Sequence, residues 1–183
     1  MRWYFYTASS PDLPRRFSTE LVGESVRQFM LTLWNTYAFF VTYANIDHFN
    51  PLEHDLPAAE RSALDRWALA ELNSTVAEVD EGLAGYDMTG PARRIQQLVD
   101  DLSNWYVRRS RRRFWKSEED ADKVAAYLTL YECLVTIAKL LAPFTPFLAE
   151  ELYQNLVRQA NPKAPESVHL CDFPVADPAL VDQ

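Results

Sequence analysis

Between Ser18 and Asn45 the apolar residues Val22, Val26, Phe29, Met30, Leu33, Tyr37, Phe40, Val41 and Ala44 return at steps of three and four. That spacing lines one face of an α-helix. At 1.5 Å per residue, about 27 residues in one helix span about 40 Å, more than a compact globule of this size needs. The rest of the 183-residue chain is therefore expected to build an elongated bundle around it. Four glycines and eleven prolines fit long regular elements with punctuated ends.

The same periodicity recurs. Leu69, Leu72, Val76, Val79 and Leu83 mark a second helix from Ala58 to about Leu83, ended by Gly82 and Gly85. Thr89 is expected to cap a third, with Pro91 in its first turn and Ile95, Leu98, Val99, Leu102 and Tyr106 on the buried stripe. Ser117, followed by Glu118, Glu119 and Asp120, is read as the start of a fourth, because hydroxyl caps and negative charge suit a helix amino end. Its core face runs from Val124 to Leu141, and Pro143 stops it. Thr145 and Pro146 open a fifth helix carrying Leu148, Leu152 and Leu156. The fold class is thus all-α, an elongated bundle of about five helices with an extended, docked carboxyl-terminal tail. Residues 1–17 read as a linker-like start, 18–160 as the bundle and 161–183 as the tail. The opening RWYFYTAS reads equally as a strand or as helical turns.

No run approaches the roughly 18 apolar residues of a membrane span, and the amino end lacks a signal-peptide pattern. Cys133 and Cys171 form no CxxC, which speaks against a zinc ribbon or disulfide scaffold and for a reducing cytosol. A cytoplasmic monomer is expected, its apolar stripes satisfying one another. Catalytic signatures are missing: there is no GxxxxGK[ST], GxGxxG, GxSxG or HExxH, and Glu166-Ser-Val-His169 is the one Glu-x-x-His. No catalytic, cofactor or metal site is read here. Glu150 and Glu151 are taken as first-turn helix charges.

Charge is the second constraint. The net charge is −8, yet residues 105–116 sum to +6 while 51–104 and 117–183 each sum to −7. The island lies in NWYVRRSRRRFWK, residues 104–116. At about 100° per residue, Trp105, Arg108, Arg109, Arg112 and Lys116 share an arc of about 100° if the helix extends that far. Guanidinium forks grip phosphates, and exposed rings offer unpaired bases a platform, a pairing suited to single-stranded or looped RNA. An acidic average does not forbid this, because the field of exposed charges fades over about 8 Å. Other readings stand beside it. Arg113 and Arg109 suit ion pairs at the core edge as well as phosphate contacts, Trp105 and Tyr106 continue an apolar stripe and read as core, and the whole run suits a salt-bridge seam.

The island resembles the anticodon-binding helical domain of class Ia aminoacyl-tRNA synthetases, in the form of the isoleucyl branch. RWYFYTASSP is similar to the region after that family's KMSKS loop, LWNTYAFFVTYANID to its first bundle helix, LLAPFTPFLAEELYQNL to its last helix, and SVHLCDFP to the strand-like segment after it. RRSRRRFW is the most specific part, since the valyl and leucyl relatives share the bundle but usually lack the arginine block. The resemblance implies tRNA contacts by Trp34, Asn35, Asn104, Trp105, Arg108, Arg109, Arg111, Arg112, Arg113, Trp115 and Lys116. It implies a parent ligase that joins isoleucine to its tRNA with ATP and magnesium, through catalytic motifs outside this chain and with a further extension beyond Gln183. The chain alone is expected to be inactive. Its implied partners are the anticodon stem-loop of an isoleucine tRNA and the catalytic and carboxyl-terminal domains of the parent. The alternatives are a helical protein-interaction bundle with internal salt bridges, the same domain of a valyl- or leucyl-type enzyme, or an independent enzyme such as a di-iron oxidase.

Overall fold

A computed structural model describes residues 1–10, 13–116 and 120–181. The described chain is all-α, with no strand among the described residues. Helix α1 (Arg2–Thr7) resolves the ambiguous start as helical turns. Helices α2 (Thr19–Ser25) and α3 (Leu31–Ile46) are joined without a break through a π-helical turn, Val26–Met30, into the long helix the stripe predicts. Ser18 caps it, accepting a hydrogen bond from the Leu21 amide at 3.3 Å. Helix α4 (Ala63–Ala84) starts later than Ala58, which lies in a separate 3-10 turn. The reason is the capping box at Ser62 and Asp65, whose side chains satisfy each other's backbone amides and fix the helix start.

Helix α5 (Thr89–Asp101) passes through a second π turn, Leu102–Val107, into α6 (Arg108–Trp115). Thr89 is not its cap; Asp87 takes the amides of Thr89 and Gly90 at 2.8 and 3.1 Å. A carboxylate two residues upstream reaches those donors, while the Thr89 hydroxyl is buried. Helix α7 (Ala121–Leu141) is capped by Asp120; the expected cap Ser117 lies outside the described residues. Helix α8 (Pro146–Tyr153) continues through a third π turn, Gln154–Arg158.

Helices α3, α4, α5–α6, α7 and α8 run alternately up and down around a core of large side chains that includes Phe29, Leu33, Leu69, Ile95, Leu98, Tyr106, Phe114, Leu130 and Phe144. Helix α7 is long and apolar enough to cross a membrane, unlike any run expected from the sequence, yet 67% of that stretch is buried. It is the central helix of the bundle. The accessible surface of 10105 Å² exceeds the roughly 9,000 Å² of a compact globule of this mass, as elongation requires.

Two helices end without a glycine in the left-handed position. His48 (φ 53) and Tyr86 (φ 61) take it, each followed by an amide that bonds back into the last turn: Phe49 to the Ala44 carbonyl, Asp87 to that of Gly82. Gly85, expected to mark the end of α4, has an ordinary φ of −83. Gly82 serves packing instead, since a Cβ there would come within 2.6 Å of Pro91 on α5.

The tail after Asn161 docks as expected, though SVHLCDFP forms a 3-10 turn, Val168–Leu170, rather than a strand. Glu150 holds it, accepting from the Ser167 hydroxyl (2.8 Å) and the Val168 amide (3.0 Å), so it is a clamp and not merely a helix charge. Burial raises the Glu150 carboxyl's pKa, but these bonds and one from Gln154 outweigh it and bring it below the usual value. Further along, the Asp177 amide donates to Asn73 at 2.8 Å.

Candidate nucleic-acid interface

The arginine island sits at the end of the bundle where α3 and α6 finish and α4 and α7 begin. How its residues face is decided by the π turn at Leu102–Val107. An extra residue in a helical turn rotates all that follows by up to about 100° relative to an unbroken α-helix. Upstream the stripe is Ile95, Leu98, Val99 and Leu102; downstream the buried residues are Tyr106, Val107, Ser110 and Phe114. Trp105 is thereby turned off the stripe. It is 48% exposed, where the sequence pattern made it core; Tyr106 is core as expected.

Arg109 is turned out with it. Its guanidinium carbon lies 3.7 Å from the Trp105 ring centroid, one helical turn away. Arg108, Arg111 and Arg112 are exposed, as is Asn104. Among the described residues none of Arg108, Arg109, Arg111 and Arg112 has a carboxylate in ion-pair distance. Four positive charges and one indole therefore share the outer surface of α6.

Arg113, one residue on, has the opposite fate. Its side chain is 12% exposed and forks onto Asp65 with two 2.7 Å bonds, while its Nε lies 2.9 Å from Asp122. Asp65 is wholly buried and also accepts from the Tyr106 hydroxyl (2.6 Å) and the Ser62 hydroxyl (2.7 Å). Burial raises its pKa, yet the bonds from Arg113, Tyr106 and Ser62 outweigh burial and hold it below the ordinary carboxylate value. Burial and the adjoining carboxylate push the Tyr106 phenol well up. Of the two arginines left open between ion pair and ligand contact, Arg113 joins the bundle and Arg109 faces outward. Lys116, counted on the basic arc, lies past the helix end in extended backbone and pairs with Asp120 (3.0 Å) and Asp122 (3.4 Å).

Trp115 is 56% exposed and lines a cleft of about 400 Å³ with Tyr43, Ile46, Asp47, Phe114 and Lys116. Phe39 of α3 packs edge-on against Phe114 (5.1 Å), joining the two helices. Asn35, exposed one turn before Phe39, lies on that same side of α3. Trp34 does not. It packs on Tyr37 (5.1 Å), which is hydrogen-bonded to Asn155 and sits near Glu151, so it belongs to the groove between α3 and the last helix. The structure thus gathers Asn104, Trp105, Arg108, Arg109, Arg111, Arg112 and Trp115 on one helix surface with Asn35 beside it, and separates Trp34 from them.

Tyr43, Ile46 and Asp47 were not singled out in the sequence. An exposed isoleucine followed by an acid at a helix end was their only signal. Among the described residues no group of three or more His, Cys, Asp or Glu side chains converges, and Cys133 is buried with its thiol pushed up by that burial.

The profile described as the anticodon-binding domain of tRNA ligase matches residues 65–183. The chain belongs to that family. The isoleucine–tRNA ligase of Dehalococcoides mccartyi (strain ATCC BAA-2266 / KCTC 15142 / 195) is 66% identical over the whole chain, and that of Thermus thermophilus is 55% identical over the whole chain. The protein of the same name from Cytophaga hutchinsonii is 47% identical over 99% of it. The chain spans 18% of the length of the first two relatives and 16% of the third. This anticodon-binding domain accordingly carries, within the matched region and on α6, the guanidiniums that have no carboxylate partner among the described residues.

Proposed function

We propose that the chain is the anticodon-recognition part of an isoleucine–tRNA ligase and that the outer face of α6 meets the anticodon stem-loop of its tRNA. The observation that carries this is the set of four guanidiniums without carboxylate partners, among the described residues, around an exposed indole in a chain of net charge −8. Arg108, Arg111 and Arg112 position phosphates, and Trp105 with Arg109 stacked on it offers a flat platform to an unpaired base. Arg113 and Lys116 act through the fold: they hold the end of α6 against the starts of α4 and α7. Asn35 and Asn104 border the same surface and have the donors and acceptors to meet a base edge.

Remote contact of this kind aids a reaction elsewhere only by orienting the acceptor end. The chemistry with ATP and magnesium belongs to the parent's catalytic domain, and this chain's part is contact with RNA. Residues 1–17 and the tail 161–183 join the bundle to the catalytic and carboxyl-terminal domains of the parent, and the chain acts as a monomer. The test is a titration with an isoleucine tRNA and an anticodon-swapped version from about 50 to 200 mM salt. Affinity is expected to fall steeply with salt while the native anticodon stays preferred. The variant with Arg108, Arg109, Arg111 and Arg112 all changed to Gln is expected to flatten the slope by up to about 3 in log–log terms. Unchanged binding in that variant would remove the proposal; no RNA binding by the unaltered chain even at low salt would favour the protein-interaction reading.

A further inference from the structure

We infer that Lys123 is a positioning residue for RNA recognition: its buried ammonium holds the carboxyl ends of α3 and α6 at one spacing, and preference among RNAs depends on that spacing. The inference rests on the RNA-binding reading above and assigns a residue that lies behind that surface.

Lys123 is out of place by local rules. It lies in the first turn of α7, where the helix dipole disfavours a cation, and it is buried, as lysine seldom is. What offsets this comes from two other helices. Asp47 closes α3 and Lys116 closes α6. The Lys123 Nζ lies 2.6 Å from Asp47 Oδ2 and donates to the Lys116 carbonyl at 2.6 Å. One positive charge thus meets a carboxylate and the negative ends of two helix dipoles. The Tyr127 hydroxyl, one turn further along α7, donates to the same Oδ2, so that oxygen leaves its place only by losing two partners. The base of the lysine is fixed as well, its amide donating to Asp120 at 2.8 Å.

A buried ion pair adds little net stability over apolar packing of the same volume. It does admit few geometries, because a shift leaves a charge unpaired away from water. Register is what such a pair supplies. The other polar ties of α6 run elsewhere: Arg113 leads to Asp65 on α4 and Asp122 on α7, and the Lys116 ammonium to Asp120 and Asp122. Phe39 on Phe114 does join α3 to α6, but apolar contact is non-directional and does not fix register.

The surface assigned to RNA spans both helices, with Asn35 on α3 and Trp105 and the outward guanidiniums on or beside α6. Phosphate attraction survives a small shift between them, because charge acts over about 8 Å. Base-edge hydrogen bonds do not, since a displacement of about 0.5 Å takes most of them out of range. Loss of the Lys123 tether should therefore remove preference and spare the salt dependence.

The experiment titrates the unaltered chain, Lys123→Met, Asp47→Ala and the double variant with an isoleucine tRNA and its anticodon-swapped version from about 50 to 200 mM salt. Urea unfolding of each protein is measured beside it. Lys123→Met keeps an unbranched side chain without the charge, and its preference for the native anticodon is expected to fall about tenfold at an unchanged salt slope. Asp47→Ala should lose a similar share, and the double variant no more than either, since both break one tether. A lysine that only stabilised the fold would lower the urea midpoint and weaken both tRNAs alike. Full preference in a folded Lys123→Met or in a folded Asp47→Ala overturns the assignment, so either variant decides it. Losses that multiply in the double variant overturn it too, since Lys123 would then act by a route other than Asp47. Equal binding of the two tRNAs by the unaltered chain overturns the base reading and this assignment with it, and no binding at all overturns the RNA reading itself.

Discussion

Where the chain enters the bundle, Trp3 stacks on Phe29 with ring centroids 3.9 Å apart and meets Phe144 edge-on at 6.1 Å. At the opposite end the helices are joined by Arg113 on Asp65, by Lys123 on Asp47, and by the buried Arg61, which reaches Thr129 at 3.1 Å and Glu132 at 2.7 Å. The stacking of Trp3 at the first end is a contact that neither salt nor pH alters. The other end is tied by charges paired away from water, and it is there that guanidiniums without a carboxylate partner among the described residues crowd the surface. The difference teaches how a basic run divides its labour: the arginines that reach a buried carboxylate hold the end of α6 in place, and those that do not are left with their fields toward solvent.

The comparison breaks most visibly at Asp65 and Trp3. Asp65→Ala leaves Arg113 with Asp122 alone, takes the acceptor from the Tyr106 and Ser62 hydroxyls, and is expected to cost about 3–5 kcal/mol, read by urea unfolding. Trp3→Ala empties a buried ring site and is expected to cost a similar amount, about 3–5 kcal/mol. The two losses differ in kind. Asp65 binds a proton less readily in the folded chain than in the unfolded one, because its folded pKa lies below the ordinary value near 4. Its stabilisation is therefore fully present above about pH 4 and is lost as pH falls through the lowered folded value. Wild type and Trp3→Ala should both show that acid limb, and Asp65→Asn should lack its contribution. An acid limb unchanged in Asp65→Asn would show that the charged end does not depend on this carboxylate.

Much of this division was legible in the sequence, and the part that was not depends on contacts and turns that no local pattern records. Periodicity located the bundle helices because the core residues Leu69, Leu72, Val76 and Val79 obey an unbroken 3.6-residue period. The Ser62–Asp65 capping box was written in the letters S-A-L-D and would have placed the start of α4. The facing of Trp105 and Arg109 was out of reach, because it turns on one extra residue held in the π turn at Leu102–Val107, and no residue type there announces it. Arg113 and Arg109 look alike in the string RRSRRR; their partners, Asp65 and Trp105, lie 48 positions away in one case and one helical turn away in the other. The Asp47 cleft, assembled from two helix ends and a lysine of a third, has no local signature.

Trp105→Ala sharpens the comparison from the ligand's side. The ring is half in solvent, so its removal should leave stability within about 0.5 kcal/mol, while RNA affinity should drop by about 1–3 kcal/mol if one base stacks there. Anisotropy titration beside thermal unfolding separates the two. A large stability loss with little change in affinity would return Trp105 to the core role that its place in the apolar pattern suggested.

The smallest effect belongs to the end where Trp3 stacks and runs in the stabilising direction. Tyr86 occupies the left-handed position after α4 at φ 61 and is 94% exposed, so its side chain contributes almost no packing. An L-residue held there is strained by contact between Cβ and the carbonyl oxygen, and glycine is not, though glycine gives up more entropy on folding. Tyr86→Gly should therefore raise stability by about 0.5–1 kcal/mol, the net of those opposing terms. Because the change lies at the end of the bundle away from α6, the midpoint of urea unfolding should rise while the RNA affinity and its salt slope stay fixed. A gain in stability that also shifted the salt slope would mean that the two ends are coupled through α4, whose first turn carries Asp65 and whose last leads into Tyr86.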